Sequence, residues 1–146
     1  MALLFDTDAI SEVLRPRPSS QFARWLGTLE REVQYTSAVV IGELYAGAYR
    51  SQAMQRHLRN IEERVLPRVT VLPYDVHAAR RYGQIRAELE RRGTRLADAD
   101  LQIAATALEH ELELVTGNLR HFQRIAGLIV NPILAQSREH DRGEEA

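Results

Sequence analysis

Cysteine does not occur in the 146-residue chain, which excludes disulfides and thiolate zinc sites. Lysine is also missing: all 19 basic residues are arginine, so every mechanism that requires a lysine is excluded. Neither sign of charge dominates. The formal net charge is −1, and no global basic field advertises a nucleic-acid partner. No apolar run approaches the ~20 residues of a membrane span. The opening MALLFDTDAI lacks the basic start of a signal peptide and soon meets Asp6, so a cytoplasmic protein is expected. What remains is 45% apolar and 27% charged residues over a length suited to one domain, the composition of a soluble globular fold.

The apolar residues come in short runs and helical stripes. Leu3-Leu4-Phe5, Val33 to Thr36, Val69 to Leu72, Leu112 to Thr116 and Leu128 to Val130 read as strands. Between them lie helical patterns: 7–14, stopped by Arg-Pro-Arg-Pro; a stripe of Phe22, Trp25, Leu26 and Leu29 capped from Ser19-Ser20; AVVIGELYAGAY after Ser37; and 52–65. Three more follow at 75–93, 96–110 and 119–125, and the polar stretch from Gln136 onward is expected to fray. Strands alternating with helices predict an α/β domain with a mostly parallel sheet. Sites in such sheets form beyond the carboxyl ends of the strands.

Acidic residues fall at those ends. Asp6 follows the first strand, where it serves a site or caps the next helix as a turn residue; Asp8 fits the cap as well. Glu43 has Val39, Val40, Ala46 and Gly47 as its helical neighbours. Burial on such a face requires either an arginine partner or a metal. In LADADLQIAATALEH the helical period sets Asp100 with Ile103, Ala104, Ala107 and Leu108, facing the sheet, and Asp98 with Gln102, Thr106 and Glu109. Asp98 then reads as a cap on the wet side. Asn118 follows a strand, as a turn residue or as a neutral ligand. Carboxylates that converge without a cation repel one another. Mg²⁺ or Mn²⁺ resolves the conflict with oxygen ligands and retained waters, and such a site can hydrolyse a phosphodiester. The five histidines show no metal-motif pair and read as surface or cap residues.

LLFDTDAISEVL, TSAVVIGELYAG and ADADLQIAATALEHELELVTGNLRHFQRIAGLIVNP, in this order and spacing, resemble the PIN-domain family, in particular its VapC-type toxins. The resemblance covers about residues 2–133. It implies a three-layer α/β/α PIN fold over 1–135, with 136–146 as a flexible tail. It maps the acids of the family onto Asp6, Glu43 and Asp100, with Asn118 at a fourth position where many members carry aspartate; a neutral residue there weakens a two-metal reading. Thr7, Thr116 and Asp98 stand beside these as supporting or water-orienting candidates. The implied activity is a Mg²⁺-dependent endoribonuclease that blocks translation. It also implies a VapB-type antitoxin laid in a groove, and a homodimer or a hetero-oligomer with the antitoxin. The Phe22/Trp25/Leu26 helix and the 52–65 helix are the expected antitoxin seat, unless both stripes are core. Arg15, Arg17, Arg80, Arg81 and Arg120 are candidate RNA contacts among which sequence does not choose. The alternatives are a housekeeping PIN ribonuclease of RNA processing, recognisable by the lack of a neighbouring antitoxin gene, and an inactive, protein-binding PIN domain. A signalling receiver domain also gathers acids at strand ends, but it requires a lysine.

Overall fold

Leu3, Leu4 and Phe5 are consecutive and all buried. Successive strand residues point to opposite faces, so such a strand is covered on both sides. This is β1 (Leu3–Phe5), the middle of the sheet. The computed structural model describes residues 1–145 and sets four strands around it: β2 (Gln34–Ser37), β3 (Thr70–Leu72), β4 (Glu113–Val115) and β5 (Val130–Asn131). The order is β3-β2-β1-β4-β5, and every pairing is parallel. The α/β fold with a parallel sheet is therefore the one expected. β3, at an edge, is largely exposed, as its position dictates.

Parallel neighbours need crossover connections, and helices supply them. α1 (Thr7–Val13) and α2 (Ser20–Gly27) lead from β1 to β2; α3 (Ala38–Arg50) and α4 (Met54–Asn60) lead from β2 to β3. α5 (Val76–Arg91) and α6 (Asp98–Glu109) carry the chain back to β4, and α7 (Leu119–Phe122) precedes β5. The strands thus run outward from β1 to β3, then resume on its other side. The reversal creates a switch point between β1 and β4, where open α/β sheets form ligand crevices.

Local chemistry explains most element ends. Ser37 caps α3 by accepting from the Val39 N–H, and Asp75 caps α5 by accepting from Ala78 at 3.0 Å. α5 stops where Gly93 takes φ +69°, a conformation that costs a side chain but not glycine. The helix expected over 52–65 is regular only to Asn60. It then widens into a π-type turn at Ile61–Val65 and tightens at Leu66–Arg68 around Pro67. The widened turn keeps Ile61 and Val65 in the core.

Two expectations are corrected. Ser19 makes no capping bond to α2; its hydroxyl engages Ser137 and Asp141 instead. Those partners belong to α8 (Ile133–Glu145), a docked helix where a frayed tail was expected over 136–146. Ser137 is buried and accepts the Phe22 N–H at 3.0 Å. Residue 146 lies outside the described residues.

Candidate active site

The ladder between β1 and β4 ends with the Asp6 N–H donating to the Val115 carbonyl at 3.1 Å. One residue beyond the strand, the backbone turns into α1 and Asp6 becomes its N-cap, Oδ1 accepting from the Ala9 N–H at 2.8 Å. The cap and the site are thus the same carboxylate. Only 5% of Asp6 is exposed. Burial pushes its pKa up to about 7, against the Thr116 hydroxyl and the Ala9 N–H, which favour the charged form; the charges of Asp8 and Asp100 add to the rise. Thr116 is itself buried, and its Oγ1 accepts the Asn118 N–H at 3.0 Å. One hydroxyl therefore ties the ends of β1 and β4 together.

Glu43 is not buried, contrary to the expectation from its neighbours. The buried residues of α3 are Val40, Leu44 and Ala48, one four-residue stripe, and Glu43 stands beside that stripe on the open side. The Thr7 hydroxyl donates to its Oε1. Thr7 follows Asp6 directly, so α1 positions two of the acids, one through its cap and one through a hydroxyl.

Asp100 opens α6 from the far side. Ile103, Ala104 and Ala107 of its predicted face are buried, and Asp100 itself is 30% exposed at the crevice. Burial raises its pKa; His121 lowers it and Glu43 raises it again. His121 Nδ1 lies 3.8 Å from Asp100 Oδ2 and 3.0 Å from the Asn118 amide nitrogen. This histidine escaped the sequence reading, which set all five aside. The available signal was the i, i+3 spacing of Asn118 and His121 on one short helix. Asn118 occupies the N-cap position of α7 without a side-chain cap bond, so its amide is not consumed as a cap. Asp98, expected to cap α6, does not: the N-cap is Ala97. The Asp98 carboxylate instead accepts from Tyr82 and Arg86 of α5 and joins the two helices. The polar arc assigned to it is also only partly wet, since Thr106 is buried with its hydroxyl on the Gln102 carbonyl.

A further group frames the site and went unread in the sequence. Arg138 of α8 donates through Nη1 and Nη2 to Asp8, at 2.9 Å each, and through Nε to Glu12 at 2.8 Å. Glu12 is 1% exposed, a buried carboxylate that is paired with arginine. Gly117 passes directly over the clamp: a Cβ there would lie 2.4 Å from both Arg138 Nη1 and Asp8 Oδ2. Only glycine lets the loop carrying Thr116 and Asn118 run this close.

Asp6, Glu43, Asp100 and Asn118 therefore come together at the switch point, from four different elements. Burial is the main cause of the raised pKa of both Asp6 and Asp100, and a neighbouring acid adds to each. The donor set, all oxygen apart from the His121 ring, suits a hard divalent cation. Among the described residues no three His, Asp or Glu groups close into a cage, so such an ion would be held partly through water, as Mg²⁺ prefers. No helix among the described residues is long and apolar enough to cross a membrane.

Known proteins share this sequence pattern and fold. The PIN domain profile matches residues 3–128, from β1 to the edge of β5. Toxin FitB of Neisseria gonorrhoeae is 35% identical over 135 residues, 89% of this chain and 97% of that one. The tRNA(fMet)-specific endonuclease VapC of Shigella flexneri is 38% identical over 128 residues, 88% of this chain and 95% of the other. In three dimensions the crystal structure of FitAcB from Neisseria gonorrhoeae superposes with a TM-score of 0.81 at 34% identity, covering 89% and 97% of the two chains. VapBC2 from Rickettsia felis, bound to a DNA fragment from its promoter, gives 0.82 at 26% identity, covering 90% and 98%. The family match over most of the chain and these relatives agree with the fold, and the chain belongs to the PIN domain family.

Proposed function

We propose that this protein is the toxin of a toxin–antitoxin pair, an endoribonuclease acting in the cytoplasm and silenced by a VapB-type antitoxin. The convergence of Asp6, Glu43 and Asp100 at the β1/β4 switch point carries the reading. The names of its relatives, ribonucleases and toxins, support it, and so do neighbours that are toxin–antitoxin complexes.

The three acids would hold Mg²⁺ (or Mn²⁺), which when bound acidifies water and stabilises charge on a phosphoryl oxygen. The residues of the chain do the positioning. Thr116 and the Ala9 N–H fix the Asp6 carboxylate, and Thr7 fixes Glu43. His121 stands between Asp100 and Asn118. With its Nδ2 turned to His121, Asn118 keeps Oδ1 free to accept a hydrogen bond from a water and orient it. Asp98, engaged with α5, supports the site only through the placement of α6.

The antitoxin seat follows from the apolar cleft beside α2. It has a volume of about 540 Å³ and is lined by Ile10 and Val13 of α1, Ala23 and Leu26 of α2, and Val65. Of the stripe expected there, Phe22 is fully buried. Trp25 packs its ring 5.8 Å from that of Phe22 and 6.3 Å from that of Phe5. Core packing thus claims these two rings and leaves Leu26 to the cleft.

Total tRNA is the first substrate to try, since one relative is named for a transfer RNA. The purified chain with Mg²⁺ is expected to cut it, and EDTA to stop the cutting. Asp100→Ala should lower the rate by at least about a hundredfold, as loss of a group that stabilises reacting charge does. An unchanged rate in that variant, with the fold intact by circular dichroism, would refute the site.

A further inference from the structure

We propose that the groove between α1, α3 and α4 is the track along which the RNA strand leaves the carboxylates, with Arg15, Arg56 and Arg64 holding its phosphates. The proposal rests on the ribonuclease reading above and asks where the rest of the substrate lies.

The groove has a volume of about 760 Å³ and begins at the site: Thr7 and Glu43 form one end of its lining. From there it passes over an apolar floor that includes Leu14, Leu44 and Ile61. Three guanidinium groups and the His57 imidazole line it, against the single carboxylate of Glu43. A chain of net charge −1 has no general attraction for a polyanion, so affinity must come from a local concentration of this kind. Two of the guanidiniums are held in place. Arg64 Nη2 donates to the Val13 carbonyl at 3.2 Å, and Arg15 Nη1 rests 3.4 Å from the buried Glu12. Each keeps further N–H donors for a phosphate. Arg56 is exposed on α4.

A charged rim over an apolar floor fits a single strand, whose phosphates meet the guanidiniums while sugar and base faces rest below. An acidic peptide would meet the same rim, but the antitoxin has the neighbouring apolar cleft. Arg64 lines both, so RNA and antitoxin would meet at this residue. Of the arginines that sequence could not rank, Arg15 is selected, and Arg56 and Arg64 are added.

The test is the salt dependence of binding of a single-stranded RNA oligonucleotide, read by fluorescence anisotropy in EDTA, alongside the KM for cleavage in Mg²⁺. Arg15→Gln and Arg56→Gln should each reduce the slope of log affinity against log salt by about 0.7, the value of one phosphate contact on a single strand. Each should also raise Kd and KM several-fold. Arg56→Lys keeps the charge and should recover most of the slope, whereas Arg91→Gln, outside the groove, should alter neither. Wild-type protein that cuts RNA, with groove variants that keep its slope and KM, would overturn the track. So would variants that lose only inhibition by the antitoxin, which would make the groove a peptide seat. Wild-type protein that cuts no RNA would instead remove the ribonuclease reading, and the track with it.

Discussion

Asp6→Asn should make the metal-free protein more stable at pH 8 while destroying its activity. The Asp6 pKa rises from 3.8 to about 7 in the folded protein, roughly three units at about 1.4 kcal/mol each, or about 4 kcal/mol. The sign follows from proton binding. Between these two values the folded state holds the proton more often than the unfolded state, so stability falls as pH rises from about 4 to about 7 and then levels off. Asparagine keeps an acceptor for the Ala9 N–H and never ionises. With neighbouring groups relaxing around the charge, the gain at pH 8 should be about 2–4 kcal/mol, a rise in Tm of roughly 5–12 °C for a chain of this size. At pH 4 to 5 most of the difference should vanish. Thermal unfolding of both proteins in EDTA at pH 4.5 and pH 8 measures it. Added Mg²⁺ should stabilise the wild type at pH 8 by mass action and leave the variant where it was. A gain that does not change with pH, or no gain at pH 8, would refute the claim that the site stores the cost of a buried charge.

The Arg138 clamp yields a second prediction. Arg138→Ala leaves Glu12 buried with only Arg15 and the Ser19 N–H, both at 3.4 Å, and should cost about 2–4 kcal/mol by urea unfolding, somewhat below a fully orphaned buried charge; a loss under about 1 kcal/mol would mean that Glu12 is otherwise satisfied. Gly117→Ala should reduce cleavage more than it reduces stability, because the Cβ displaces Asp8 and Arg138 and with them the loop of Asn118. Combined with Arg138→Ala, its stability cost should be less than additive; strict additivity would separate the two features. Thr7→Val should slow cleavage about tenfold by freeing Glu43, the scale of losing a supporting hydrogen bond to a metal ligand, whereas Thr7→Ser should keep most of the rate. Equal rates in both variants would remove Thr7 from the site.

The local signals in the sequence were strong where the chain's own neighbours decide the outcome. Leu3-Leu4-Phe5 reads as a covered strand, and the helical period of 96–110 turns Asp100 toward the sheet and Asp98 away from it. The period could not say what Asp98 would meet, because Tyr82 and Arg86 come from another helix. Glu43 shows the same limit. Its neighbours are apolar or small, yet burial follows the narrow stripe of Val40, Leu44 and Ala48, and the residues next to it border an open groove. A buried carboxylate paired with arginine does exist, but it is Glu12, whose partner lies 126 residues away. The helix over 133–145 was illegible for a related reason. Few of its residues are apolar: Leu134 is buried in the core, but the rest of its docking comes from Ser137, Arg138 and Asp141 meeting α1 and α2. Composition measures hydrophobic drive, not polar groups that find partners far along the chain.

The Arg138 clamp also imposes an order on synthesis. A ribosome making this chain has polymerised Asp6, Glu43, Asp100 and Asn118 before it reaches residue 138. Until then the nascent polypeptide carries Asp6, Glu43 and Asp100, while Glu12 lacks its main counter-ion and the Gly117 loop lacks one of the two groups it passes over. The acids of the site are thus made well before the arginine that braces the loop beside them.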